Sequence, residues 1–397
     1  MSQNIENVQL KGVIFSPSEL ALVAPDITLT KYIKAGYRPS LRRFNEFKPM
    51  IISTAGISRY DISLLNDGKK INELTTVIGS SSIKCGGTST ICTISAGLVE
   101  DNFEAVNDYR MRLDADIIVN NDDKNEENEE IDNILGGNLI NKNGCVYPVI
   151  EIAKGTTGPP GDEEIGLGEK LYETILHSGL INREELKVDV GLKSIDENGN
   201  EIILRGDDVG VIKKKFSFVI YARIQVFGKT GPLFDQCYAS LVKALSDTKL
   251  PEVYLNERES NLRTKSGKRN ANINIQSYDL VCDSVKYRKL KLRKDRICWS
   301  STFGIVDLSS LNKEDNEGDI DIITETEEDI EQSILLTDLE GEAENNLSKR
   351  ISVLSNGEGF FTSITIEKGN GSRITTDIIK QALELSQVRA KDMIPKF

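Results

Sequence analysis

A chain of 397 residues is long enough for two domains, or for one domain made of two similar halves. Hydrophobic residues make up 39% and charged residues 28%, an ordinary composition for a globular protein. No apolar run approaches the roughly 20 residues that a membrane span needs. The first residues lack the basic and then apolar pattern of a signal peptide, so the sequence predicts an intracellular protein with no membrane partner.

The cysteines and the histidine limit the chemistry that the chain could carry. The six cysteines are scattered without a CxxC pair, which argues against a cysteine zinc site, and we expect no metal or other cofactor. The one histidine, His177, ends an amphipathic segment and is better explained as the last residue of a helix than as a catalyst. Hydrolases that use a Ser-His or Cys-His pair are therefore a poor match.

The net charge of −13 comes from two acidic segments. Residues 122–132 contain seven acids and one lysine, and residues 312–332 contain ten acids and one lysine. Together these segments carry −15, which leaves +2 on the rest of the chain. Such dense like charge cannot bury enough apolar surface to fold, so we predict surface inserts at 120–133 and 312–332. The overall acidity is no argument against a nucleic-acid partner.

The predicted elements before residue 215 are a hairpin and a helix. Residues 80–98 predict two short strands around a turn at Gly86 and Gly87. Residues 169–180 predict an amphipathic helix. Near the other end of the chain, residues 376–392 predict a further helix that Thr375 or Thr376 could cap.

Residues 216–245 predict a strand, a tight turn and a helix that packs on the sheet. The strand places Phe216, Phe218, Ile220, Ala222, Ile224 and Val226 on one face. The helix places Phe234, Cys237, Tyr238, Leu241, Val242 and Leu245 on one stripe. The turn at 229–232 contains no carboxylate, and the helix dipole alone explains Asp235 in the first helical turn.

The second half repeats this order of strands followed by a helix. A basic run at 286–296 precedes a strand-like stretch at 298–308, and residues 351–371 predict a hairpin. We therefore predict an α+β fold of two pseudo-repeated halves, each a mixed sheet covered by helices. The expected boundaries are an extension at 1–28, a first domain at 29–250 and a second domain at 275–397.

Four stretches carry a family resemblance. They are RPSLRRFNEFKPM at 38–50, GSSSIKCGGTSTICTISAGL at 79–98, the strand–turn–helix at 216–245, and STFGIVDL together with LLTDLEGEAE in the second half. In this order they resemble the RNase PH family, in particular the RNase PH-like subunits of the eukaryotic RNA exosome. The likeness covers roughly residues 29–393, interrupted by both acidic segments, and it implies the RNase PH fold.

The departures from the family pattern concern its catalytic turn. Family members usually carry Asp-Gly after the strand, where this chain has Thr230 and Gly231, and Ser40 and Leu41 stand at the Asp and Gly positions of the N-terminal opening. Phosphorolysis needs an acid near the leaving oxygen and a cationic or amide-lined phosphate pocket, and Thr230 cannot act as that acid. The resemblance therefore implies a non-catalytic subunit with no catalytic residue of its own.

The same resemblance implies partners and a location. These are other RNase PH-like subunits in a hexameric ring, OB-fold and KH cap proteins, a separate processive exoribonuclease, and single-stranded RNA threaded through the ring. We expect the nucleus, including the nucleolus, and the cytoplasm. Arg38, Arg42, Arg43 and Lys84 are the candidate RNA contacts.

Three alternatives stay open at this stage. The chain could be an active phosphate-dependent 3′–5′ exoribonuclease of the same fold, or a free-standing RNA-binding module. The densest basic stretches, 258–269 and 286–296, fit two interpretations equally well. They could contact RNA, or they could be a solvated or salt-bridged surface.

Overall fold

The computed structural model describes most of the folded body. It covers residues 15–60, 76–101, 145–155, 158–195, 201–205, 215–255, 262–263, 274–275, 280–307, 333–367 and 374–397. The two predicted acidic inserts lie outside the described residues, as does the basic stretch 258–269 except at 262–263. None of the helices in the described part of the chain is both long and apolar enough to cross a membrane.

Along the chain, runs of strands are separated by single helices, and two helices come first. The strands are β1 (Met50–Ser53), β2 (Gly79–Cys85), β3 (Thr88–Asp101), β4 (Val146–Ile152), β5 (Lys187–Val188), β6 (Gly191–Ile195), β7 (Glu201–Arg205), β8 (Lys215–Phe227), β9 (Lys249–Leu255), β10 (Leu262–Arg263), β11 (Asn274–Ile275), β12 (Leu280–Lys289), β13 (Trp299–Asp307), β14 (Ser333–Thr337), β15 (Arg350–Ser355) and β16 (Phe361–Glu367). The helices are α1 (Pro17–Val23), α2 (Pro25–Lys34), α3 (Asp162–Ser178), α4 (Phe234–Asp247), α5 (Gly341–Asn345) and α6 (Thr376–Met393).

The first sheet contains the predicted hairpin and the predicted long strand. Its order is β1-β2-β3-β8-β4, with β5 also paired to β8. The β2–β3 turn uses Gly86 with φ +58°, a left-handed conformation that glycine adopts without strain. Every second residue of β8 from Phe216 to Val226 is buried, so the alternation expected from the sequence is confirmed.

Helix α4 lies between two sheets. It packs on β2 and β3 through the apolar stripe that the sequence predicted, in which Leu241 and Leu245 are fully buried. Its other side faces β13, where Asp235 and Gln236 are also buried. The helix is therefore enclosed on both sides, whereas an ordinary surface helix buries only one stripe.

The second half is built around β13. Its sheet has the order β14-β13-β15-β16, and β13 is buried along nearly its whole length. One face of this sheet, through Phe303 and Ile305, packs under α6, and the other face meets α4. Helix α6 begins at Thr376, as predicted, after Thr375 at the N-cap.

The predicted domain boundaries fall within elements of this structure. A third sheet, β12-β9-β6-β7, contains strands from both sides of the predicted gap at 251–274. The boundary at residue 28 falls inside α2, which packs with α5 and β14 through Leu29 and Ile33. The division into domains at 29–250 and 275–397 stays a prediction.

Helix α3 begins seven residues before the predicted start, at Asp162 instead of 169. Its first turn is acidic, and its Glu164 carboxylate accepts hydrogen bonds from the backbone N–H of Ile152 at 2.8 Å and from Lys154 Nζ at 3.0 Å. Hydrogen bonds from the backbone N–H groups of Gly161 and Ile152 lower the pKa of Glu164 to about 2. The buried Glu164 carboxylate thus stabilises the first turn of the helix by accepting from backbone N–H groups there. A charged side chain at this position interrupts the apolar periodicity from which the helix was predicted.

Candidate functional site at the strand–turn–helix junction

The turn between β8 and α4 is tightly packed. The Thr230 hydroxyl lies 2.9 Å from the Thr88 hydroxyl, and the Thr230 N–H donates to Thr88 Oγ1 at 3.1 Å. The Thr230 carbonyl accepts from the Gly341 N–H at 2.6 Å, which ties the turn to the second half. A Cβ on Gly231 would lie 2.3 Å from the Leu339 carbonyl oxygen, so only glycine fits there.

Asp235, one helical turn further on, joins α4 to β13. Its carboxylate accepts hydrogen bonds from the Ser300 hydroxyl, from the Thr302 N–H at 2.8 Å and from the Thr302 hydroxyl at 3.0 Å. Burial raises the pKa of Asp235 to about 6, with the nearby charge of Asp338 adding to the effect. Because these donors hold both oxygens, the group is built into the contact between the two halves.

Arg38 lies fully buried at the same junction. Its guanidinium donates to both carboxylate oxygens of Glu344, through Nε at 3.0 Å and through Nη2, and Nη1 donates to the Thr337 carbonyl. Both side chains of the ion pair have no exposed surface. This bidentate geometry is the arrangement in which Arg binds a carboxylate most specifically.

Three further charged groups close the junction. Arg42 donates to the Asp338 carbonyl at 2.9 Å and pairs with Glu340 at 3.1 Å. Lys48 is buried, and its Nζ donates to the Leu339 carbonyl at 3.0 Å. Asp338 has φ +46°, and its carboxylate accepts from the Lys48 N–H at 2.9 Å. Arg38, Arg42 and Lys48 of the N-terminal opening are thus engaged by the LTDLEGE turn of the second half.

An open cleft of about 370 Å³ lies beside the turn, lined by Lys229, Thr230, Gly231, Glu340, Gly341, Glu342 and Asn345. Its one lining cation, Lys229, donates to the Glu163 carboxylate at 2.7 Å, and Glu340 and Glu342 bring negative charge. A phosphate needs unpaired cations or converging N–H groups. The cleft is therefore poorly suited to inorganic phosphate.

A second, smaller cavity of about 20 Å³ lies between α4 and β13. Lys48, Asp235, Gln236 and Thr302 are among its lining residues, and Gln236 Oε1 is buried without a partner. This volume holds about one water molecule and no larger ligand. Within the described residues, no group of three or more His, Cys, Asp and Glu side chains is arranged to hold a metal ion.

The four predicted RNA contacts lie in different environments. Arg38 is buried against Glu344, and Arg42 is half-buried against Glu340. Arg43 and Lys84 are exposed, and Lys84 stands on β2 opposite Ser89. The surface therefore presents two of the four cations fully to solvent, and RNA contact through them stays a prediction.

The buried polar partners at this junction leave little signal in the sequence. Glu344, Ser300 and Thr302 lie 306, 65 and 67 positions from the side chains they contact. The one available signal was the LLTDLEGEAE motif, which places acids at a fixed point of the second half. It pointed to a turn, without indicating which arginine would bind there.

Comparisons with known proteins agree with this architecture. The profile of the 3′ exoribonuclease family, domain 1 (RNase PH), matches residues 46–251. The Schizosaccharomyces pombe protein "Exosome complex component rrp43" is 24% identical over 253 residues, which span 62% of this chain and 66% of that relative. The likeness to ribosomal RNA-processing protein 43, which Thr230, Ser40 and Leu41 together with the pair Glu46–Phe47 suggested, is thereby confirmed.

Solved structures share the fold. A chain of the Archaeoglobus fulgidus exosome with RNA bound to the active site has a TM-score of 0.53 and 14% identity, covering 95% of this chain and 99% of that chain. A chain of an archaeal exosome core has a TM-score of 0.50 and 12% identity, covering 96% and 99%. The predicted α+β fold of the RNase PH type is confirmed.

Proposed function

Because the chain belongs to the RNase PH family of 3′ exoribonucleases, we propose that it is a non-catalytic subunit of the RNA exosome core ring. Its work is to complete the ring and to guide RNA through it for 3′–5′ processing and degradation. The observation that carries the proposal is the strand–turn–helix junction, where Thr230 occupies the turn and the neighbouring cations bind the protein's own carboxylates and carbonyls.

The partners follow from ring membership. We propose RNase PH-like subunits as neighbours in a hexameric ring, OB-fold and KH proteins as its cap, and a separate processive exoribonuclease that degrades the RNA. The location proposed for this assembly is the nucleus, including the nucleolus, and the cytoplasm.

The strand–turn–helix junction offers a chemical reason why the chain should not catalyse phosphorolysis. A phosphorolytic enzyme must hold phosphate beside the leaving oxygen and deliver a proton to it. Asp235 is enclosed by Ser300 and Thr302, and Lys229 is held by Glu163. Thr230→Asp alone should therefore not produce activity, because the new acid would lack a second substrate to act with.

Two measurements test the proposal. Purified full-length chain, incubated with labelled single-stranded RNA, phosphate and magnesium, should release no nucleoside diphosphate, while an active phosphorolytic RNase assayed in parallel should release it. Tagged chain purified from its own cells should recover RNase PH-like partners. Nucleoside diphosphate release that disappears in Asp235→Asn would establish an active exoribonuclease instead, and a tagged chain that recovers no such partner would contradict ring membership.

A further inference from the structure

A row of exposed cations lies at the opposite end of α4 from the strand–turn–helix junction. It consists of Lys289, Lys291, Arg293 and Lys294, here called the basic ridge. The Leu290 N–H donates to the carbonyl of Thr248, the residue that ends α4, at 3.0 Å. Since α4 is 14 residues long, the ridge lies roughly 20 Å from Thr230.

Cations and leucines alternate in the ridge, and this alternation directs the cations to solvent. Leu290 is buried and Leu292 partly buried in the main core, so the side chains between them face solvent. The backbone is held as well, because the Arg293 N–H donates to the Leu180 carbonyl at 3.0 Å. The cations therefore stand on an ordered backbone, which lowers the entropy that a ligand must overcome to bind them.

The charges of the ridge are not paired by the described part of the chain. In the register of β12 and β9, Lys289 stands directly opposite Lys249, and like charges in this position are destabilising. Among the described residues, none of the four ridge cations forms an ion pair with a carboxylate. Of the acids close to the ridge, Asp295 pairs with Arg296 at 3.6 Å, Glu184 pairs with Lys187 at 3.4 Å, and Asp283 accepts from backbone N–H groups. Glu185 also lies close by, since its carbonyl accepts from Arg288 at 2.8 Å.

Protection of an edge strand does not explain the ridge. β12 is the edge of its sheet, and lysines on edge strands discourage pairing with other chains. That role could account for Lys289, which ends β12. Lys291, Arg293 and Lys294 lie beyond the strand, so three of the four cations need another reason.

An exposed aromatic ring lies beside the ridge. Tyr287 is 44% exposed, its ring centroid is 4.7 Å from that of Tyr60, and Lys249 Nζ lies 5.4 Å from the Tyr287 centroid. The buried Tyr60 thus supports one side of Tyr287. Proteins that hold single-stranded nucleic acid without sequence preference combine such rings with cations that follow the backbone.

We propose that the basic ridge, with Tyr287 beside it, is a binding surface for single-stranded RNA, separate from the strand–turn–helix junction. The four cations contact phosphates, and Tyr287 stacks on a base without reading its identity. The choice of RNA as the bound polyanion rests on the proposed function. The existence of a binding surface rests on the ridge cations, which form no ion pair among the described residues, and on the Tyr287 ring, which Tyr60 supports.

The first test measures the salt dependence of RNA binding. Anisotropy of a labelled single-stranded homopolymer RNA should be titrated with full-length chain over a range of salt concentrations. Each lost phosphate contact reduces the slope of log Kobs against log salt by about 0.7. The triple variant Lys289→Gln, Lys291→Gln, Arg293→Gln should therefore lose about 2 from the slope. Tyr287→Leu should weaken binding roughly tenfold with the slope unchanged.

The matched control removes the same charge from another exposed surface. Lys380→Gln, Lys391→Gln, Lys396→Gln changes three exposed lysines in or just after α6 and should keep the wild-type slope. Equal slopes for the two triple variants would overturn the proposal, and so would a wild-type chain that binds no RNA.

A second readout separates RNA from a protein partner and from ring membership. Tagged ridge variant should recover the same RNase PH-like partners as wild type. If its salt slope is unchanged while a co-purifying protein is lost, the ridge is a protein contact and the proposal is wrong. If wild-type chain recovers no ring partner, the proposed function fails, and the anisotropy titration on the isolated chain still decides the ridge.

Discussion

The face of α4 that packs on the first sheet is apolar, whereas the face toward β13 holds a buried carboxylate. On the first face, Leu241 and Leu245 meet the hairpin strands through contacts that have no preferred direction. On the second face, Asp235 bonds to three donors of β13 that must be correctly placed. One helix thus joins two sheets by packing on one side and by a specific polar network on the other.

The two faces of α4 differ in how strictly they set the relative position of the halves. Apolar residues of similar volume can replace one another at small cost, so the first face tolerates repacking. A buried polar group without its partner costs its full desolvation, so the second face accepts few arrangements. We infer that the polar side aligns the halves, while the apolar side contributes most of the burial.

The largest effect is expected from a charge on the apolar face. Leu241→Asp places an unpaired carboxylate where no side-chain surface is exposed, at a cost of several kcal/mol, comparable with a domain's whole stability. The variant should be insoluble, or it should show no folded baseline when its urea denaturation is measured. Leu241→Met keeps the volume and should cost less than about 1.5 kcal/mol. A Leu241→Asp protein as stable as its parent would show that this face is not core.

The next effect is expected at the buried ion pair. Glu344→Gln leaves the Arg38 guanidinium buried beside a neutral group, and breaking such a pair costs about 3–5 kcal/mol. The control is Glu342→Gln on the same short helix, whose side chain is exposed and whose loss should change stability by about 0.5 kcal/mol or less. Equal denaturation midpoints for the two variants would mean that Arg38 does not depend on Glu344.

A smaller, pH-dependent effect is expected at Asp235. Its pKa is raised from 3.8 to about 6, so between these values the folded chain binds a proton that the unfolded chain has released. This group therefore makes the free energy of unfolding fall as pH rises through that window. Asp235→Asn removes the dependence, and its stability relative to wild type should rise by about 1–3 kcal/mol from about pH 4 to pH 7.

Thermal or urea denaturation across this pH range measures the difference. Asp377→Asn, at an exposed position in the first turn of α6, serves as the matched control because it makes the same substitution outside the core. A difference between wild type and Asp235→Asn that stays constant from about pH 4 to pH 7 would argue that the carboxyl titrates normally.

The smallest effect is expected away from both faces of α4. Arg43 and Lys84 are exposed, so changing either one to Ala should alter stability by about 0.5 kcal/mol or less. If they contact RNA, each substitution should reduce the salt slope of binding by about 0.7. Lys380→Ala is the control, and slopes equal to that control would remove Arg43 and Lys84 from the RNA-binding surface.

The apolar face was predictable from the sequence, and the polar face was not. Strict alternation in β8 and the stripe of α4 are local patterns, because neighbours on one face recur every two residues in a strand and every three or four in a helix. Asp235 was explained by the helix dipole because its partners Ser300 and Thr302 leave no local pattern. Contacts of this kind depend on the packing of two sheets around one helix.

The start of α3 shows the same limit on a smaller scale. The amphipathic pattern predicted this helix only from residue 169, and the preceding residues include Gly166 and Gly168, which lower helix propensity. The structure begins it at Asp162 because the Glu164 carboxylate bonds to backbone N–H groups around the first turn. The basic ridge shows the opposite case, in which alternating leucines and cations at 289–293 were visible but left undecided between RNA and solvent.

The separation of Arg38 and Glu344 has a consequence for how the protein forms during synthesis. The two residues are 306 positions apart, so at 5–20 residues per second the ribosome needs roughly 15–60 s between them. In the first sheet, β3 and β4 both pair with β8, so these pairs can form only after β8 has been synthesised. A nascent chain therefore carries Arg38 without its ion-pair partner for most of its translation, and this contact closes only after residues 337–344 of the second half have been made.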